Sequence, residues 1–272
     1  MNRTVAVRHG ALALALALAL AAPGRAEITV APLSLKIPIP PGGTGTATFV
    51  VRNVGQSPAD VRITLHDWWR TPEGKFQVLP PGTLKGSCAP WVVYSHNAFV
   101  LAPGEEVRVT VRIEVPEEAV GDRWALLLVA EYPPEREEGT EEAMGRTRVV
   151  MAYAVKILRQ DPVNAAPAGE IRSVEVLGTS PLKLRIVYVN TGNAHTVNRG
   201  TVEVRDVFGQ TVRSFPIEEF PTLPGEERIL IVEDPTGEPL PEGIYYAFAT
   251  IDFGGAYLVR GGVLVQVPPS TG

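Results

Sequence analysis

Four histidines, one cysteine and a tryptophan pair are the side chains from which a reactive or binding site would have to be built. None of His9, His66, His96 and His195 stands at an HxxxH spacing from another, and Cys88 has no second cysteine to share a metal. His66 and Asp67 are neighbours, so on a strand they point to opposite faces, which is wrong for one metal ion. His195, in the segment TGNAHT, reads as a turn residue. Cys88 could serve as a thiol nucleophile, but a cysteine between Ser87 and Ala89 reads as a small buried filler. No GxSxG elbow is present, and the acids are scattered along strand faces or gathered in the charged run from Glu135 to Glu142. These residues predict no enzyme, no metal site and no cofactor. Trp68-Trp69 could form a sugar-stacking platform, but on a strand one of the two must turn inward, and Trp91 between apolar neighbours reads as core.

The remaining candidate is a whole strand. From Thr147 to Leu158 the chain reads TRVVMAYAVKIL, with Val149, Met151, Tyr153, Val155 and Ile157 on one face. The other face holds Val150, Ala152, Ala154, Lys156 and Leu158. A strand apolar on both sides is either central and covered twice, or an edge that pairs with another chain by strand addition. The second reading makes Val149, Met151, Tyr153 and Val155 the partner-binding residues.

The elements that would position this strand are all β. Around the turn Ala102-Pro103-Gly104, the residues Val107, Val109, Val111, Ile113 and Val115 alternate with polar ones, the period of a strand with one wet face. Pro116 ends that strand, and Gly121 turns the chain into Trp124–Tyr132. Ile28 to Ile39 is expected to be a single opening strand, bent or ended by prolines. The order of landmarks then recurs. Asn53-Val54-Gly55 returns as Asn190-Thr191-Gly192, and Pro103-Gly104-Glu105-Glu106 as Pro224-Gly225-Glu226-Glu227. Seven short strands are expected after Glu170, and 25 prolines and 26 glycines supply the punctuation of short strands and turns. The prediction is all-β: two tandem immunoglobulin-like β-sandwiches, over residues 27–160 and 169–272, joined by a linker at 161–168.

Residues 1–26 carry Arg3 and Arg8, a twelve-residue apolar run from Ala11 to Ala22, and the small-x-small site Gly24-Arg25-Ala26. This is expected to be a cleaved secretory signal, too short to span a bilayer. Removing its three arginines takes the formal charge from −5 to −8. An acidic chain of this kind is a poor binder of nucleic acid or anionic membrane. A soluble protein, periplasmic or otherwise exported, is expected, held together by its cores with no internal disulfide.

Val51-Arg52-Asn53 at a strand end, the FxLxPGE segment from Phe99 to Glu105, and a charged loop before TRVVMAYAVKIL resemble the PapD-like periplasmic pilus-chaperone superfamily. The resemblance covers mainly residues 28–160; the second half is similar only as a generic immunoglobulin-like module. It implies that the last strand of the first domain pairs with an incomplete pilin subunit. It also implies that a cleft arginine and lysine bind that subunit's terminal carboxylate. Lys156 falls where the cleft lysine is expected; the arginine is not matched, and the opening strand LSLKIPIP offers only Lys36, about one position out of register. The function expected is a non-enzymatic chaperone-like protein that binds extended segments of secreted or pilus-type subunits. The alternative is an envelope structural or adhesive module contacting glycan, peptidoglycan or another surface protein.

Overall fold

The computed structural model describes residues 27–132 and 151–269. The signal segment, the charged loop and Val149 lie outside the described residues. Seventeen strands and one 3-10 turn, with no α-helix, make up the described chain.

The first half holds β1 (Ile28–Ala31), β2 (Ser34–Pro38), β3 (Thr44–Asn53), β4 (Ala59–Arg70), β5 (Phe76–Leu79), β6 (Val92–Tyr94), β7 (Ala98–Leu101), β8 (Glu106–Glu114), β9 (Arg123–Tyr132) and β10 (Met151–Gln160). One sheet runs β1-β3-β8-β6 and the facing sheet β2-β10-β9-β4-β5, with β7 also paired to β4. Phe49, Val61, Val109, Val111, Leu127, Val155 and Ile157 are among the fully buried residues between them. The expected single opening strand is in fact two strands in opposite sheets. Pro32 has no N–H for a ladder, and beyond it the buried positions change from Ile28 and Val30 to Leu35, Ile37 and Ile39. That change from even to odd numbers is what a chain crossing to the other sheet requires. Trp91 also differs from expectation: it ends the 3-10 turn Ala89–Trp91 and is only partly buried, against the rim of the core.

The second half holds β11 (Gly169–Thr179), β12 (Leu182–Asn190), β13 (Thr196–Asp206), β14 (Thr211–Thr222), β15 (Glu227–Glu233), β16 (Gly243–Asp252) and β17 (Val259–Val267). Its sheets are β11-β12-β15 and β14-β13-β16-β17, closed over a separate core that includes Leu184, Tyr188, Val204, Ala249 and Ile251. Both halves are β-sandwiches of immunoglobulin-like build.

The repeated landmarks are one structural corner used twice. Asn53 is fully buried; its amide donates to the Ser57 and Leu101 carbonyls, and its oxygen accepts from the Gly55 N–H. Asn190 is equally buried, donates to the Ala194 carbonyl and accepts from the Gly192 N–H. In each sandwich the Pro-Gly turn closes on that asparagine, with Gly104 N–H bonding the Asn53 carbonyl and Gly225 N–H the Asn190 carbonyl. Both glycines have φ near +80°, where a side chain would be strained. Glu105 and Glu226 then accept from the N–H groups of Ala102 and Leu223, each three residues back.

Candidate functional site: an interdomain cleft at the end of an open strand edge

β10 has two different halves. It pairs antiparallel with β9 from Met151, opposite Glu131, to Arg159, opposite Arg123. On its other side it pairs in parallel with β2 only from Lys156, opposite Ser34, to Gln160, opposite Pro38. Among the described residues nothing pairs with that side from Met151 to Val155. The Lys156 N–H points to this side, bonding the Leu33 carbonyl at 2.9 Å. Alternation along the strand therefore turns the N–H and C=O groups of Ala152 and Ala154 to the open side. Those of Tyr153 and Val155 face β9.

The side chains of the candidate face have different surroundings. Val155 is fully buried in the first core, and Tyr153 packs against that core with its hydroxyl donating to the Ile28 carbonyl at 2.7 Å. Met151 stands 59% exposed. The open part of β10 thus presents backbone, two alanines and Met151.

Where the open edge ends, a cleft between the two sandwiches begins. It has a volume of about 540 Å³, and Lys36 and Lys156 both line it from the first domain. Lys36 lies opposite Leu158 on the β2–β10 pair, two residues on from the Ser34–Lys156 match, so both lysines stand on one face of adjoining strands. The Lys156 Nζ sits 5.2 Å from the Trp68 ring centroid and 5.7 Å from that of Phe76, and those two rings stack at 5.3 Å. Partial burial lowers the Lys156 pKa, and the charge on Arg70 lowers it further. His195, on the second-domain wall, is pushed down to about 4 by burial, then by the nearby charges of Lys36 and Arg70. The imidazole is neutral at pH 7, and the positive charge of the cleft comes from Lys36, Lys156 and Arg70, the last of which is paired with Glu226.

The cleft's walls are fixed by bonds that cross between domains. β4 pairs with β9 only from Asp60 to His66, and its last four residues run on as a hairpin with β5. Arg70 on that overhang donates to both carboxylate oxygens of the fully buried Glu226, at 2.7 and 2.9 Å. The Pro72 carbonyl beyond it accepts from Ile229 N–H of β15 at 2.8 Å. On the opposite side, Asp122 accepts from the His195 N–H at 2.7 Å and donates its own N–H to the Asn193 carbonyl.

The chain is similar in structure to fimbrial chaperones. The class 5 fimbrial chaperone CfaA matches with a TM-score of 0.48 and 11% identity over 89% of this chain and 100% of that one. A chain of the CsuC–CsuE chaperone–tip adhesin complex from archaic chaperone–usher pili of Acinetobacter baumannii matches at 0.47, with 11% identity over 88% and 97%. The E. coli chaperone DraB matches at 0.43, with 15% identity over 87% and 96%. These are likenesses of fold. No protein-family model and no curated protein matches the sequence.

Sequence reasoning brought Lys36 and Lys156 forward, and both line the cleft. It missed Arg70, Trp68, Phe76, His195 and Glu226 as parts of the same place. Trp68 is buried in a small cluster with Trp124, Leu126, Leu158 and Leu223, so it joins the domains and offers no sugar platform. Cys88 is fully buried, with its thiol pushed up to about 12 by burial. Among the described residues no three of His, Cys, Asp and Glu are grouped as a metal site would need. No helix there is long and apolar enough to cross a membrane.

Proposed function

We propose that the protein is an exported, non-enzymatic chaperone that holds an extended segment of a secreted or pilus-type subunit by strand addition along β10. The observation that supports this reading is that, among the described residues, Met151–Val155 pair on one side only, immediately before the cleft. A client strand running parallel to β10, as β2 does, would bring its carboxyl end to Lys156 and Lys36. There two ammonium groups can bind an acidic terminus in a place partly shielded from water. Met151 adds an exposed apolar contact. Tyr153 and Val155 act from beneath, by fixing the strand that supplies the backbone bonds.

A labelled peptide of alternating threonine and valine with a free carboxyl terminus serves as the probe. Wild type should bind it at least about tenfold better than the same peptide amidated. Lys36→Ala with Lys156→Ala should erase that difference. Ala152→Pro should abolish binding of both peptides while circular dichroism stays unchanged, because proline deletes only an open-side N–H. Unchanged binding by Ala152→Pro would overturn strand addition at this edge.

A further inference from the structure

The cleft has a second wall of opposite sign. Glu219 of β14 lines it from the second domain, whereas Lys36 and Lys156 line it from the first. Glu226 is already taken by Arg70, whereas no hydrogen bond or ion pair among the described residues engages the Glu219 carboxylate. A β-bulge puts Glu219 where it is. Asn198 lies opposite Phe220 but Gly200 lies opposite Ile217, so β14 carries one extra residue over this step. Ile217 and Phe220 are both buried, which strict alternation would forbid at a spacing of three, and Glu218 and Glu219 are both left outside. A bulge that exposes an acid at a cation-lined cleft gives the cleft two electrical sides. Leu33, Val197 and Pro221 add apolar surface to the same cleft.

We infer that Glu219 selects clients carrying a lysine or arginine close to their carboxyl end, with the terminal carboxylate on the lysine wall and the basic side chain on Glu219. This rests on the reading of the cleft as the seat of a client's acidic terminus. The lysine wall alone would instead favour a client with an acidic residue near its end.

The test uses the threonine–valine probe with a free carboxylate, carrying Lys, Gln or Glu at each of its last three positions in turn. At the best position the full protein should bind the Lys peptide about three- to tenfold better than the Glu peptide at low salt. The preference should fade at about 0.5 M salt, where screening is short-ranged. Glu219→Lys, a change at an exposed site, should reverse it. Equal affinity for Lys and Glu peptides, or a preference that Glu219→Lys leaves unchanged, overturns the role of Glu219 while carboxylate-dependent binding stands. Loss of any difference between free and amidated termini in wild type overturns the cleft reading itself.

Discussion

At the scale of single residues, the two halves of the chain differ most in one glutamate. Glu105 and Glu226 occupy the same corner and bond the same turn, yet Glu105 is exposed and Glu226 is fully buried. Burial is tolerated because Arg70 grips both oxygens and Arg228 approaches to 3.7 Å. Arg70→Met should therefore cost about 3 kcal/mol in urea unfolding, since it leaves a buried charge with a weaker partner. Combining it with Glu226→Gln should cost clearly less than the sum of the two single changes. Additive costs would mean the pair carries no coupling. His195 makes a pH prediction of definite sign. Its pKa is about 4 in the folded chain against an ordinary 6.5, so the unfolded chain takes up the proton first as pH falls. Stability due to this group is present above pH 6.5 and is lost towards pH 4, by up to about 3 kcal/mol. His195→Gln should flatten that limb of the stability curve, and an unchanged limb would refute the assignment. The sequence displayed the repeated Pro-Gly-Glu-Glu, but nothing in it says which copy lies under a neighbouring domain.

Among the elements, β10 and β4 carry the site, and they were legible to different degrees. The alternation TRVVMAYAVKIL marks β10 as a strand with two apolar faces, which left central and edge readings open. Residues 156–160 lie between two strands, whereas among the described residues 151–155 pair only with β9, because β2 reaches back only as far as Lys156. A partner's length cannot be read from the strand it pairs with. β4 shows the opposite difficulty. Its turn TPEGK is plain in the sequence and closes as expected, with Thr71 N–H bonding the Lys75 carbonyl. That the hairpin overhangs its sheet and docks on β15 depends on where the second sandwich sits. The one-sided pairing of β10 predicts a contrast between neighbouring prolines. Ala152→Pro should change the urea midpoint little, by less than about 1 kcal/mol, as proline does when its missing N–H faced solvent. Tyr153→Pro should cost about 3 kcal/mol or more, because that N–H belongs to the β9 ladder. Equal losses from the two would mean that both sides of the strand are covered.

For the whole molecule, two separate cores are joined by a few bonded contacts and a small shared cluster of Trp68, Trp124, Leu126, Leu158 and Leu223. A fragment of residues 167–272 should consequently unfold in one cooperative transition with strand-rich circular dichroism, and a fragment without such a transition would refute independent folding. Three features lie along one line: a backbone edge at Ala152 and Ala154 left unpaired among the described residues, a cationic cleft at its end, and a second domain lining that cleft. Residue-resolved hydrogen exchange, with and without the free-carboxylate probe peptide, tests all three at once. In the free protein the Ala152 and Ala154 amides should exchange fast and those of Tyr153 and Val155 slowly. On adding the peptide, Ala152 and Ala154 should become protected. Uniform protection from 152 to 155 in the free protein, or no change on adding a peptide that binds, would contradict the account.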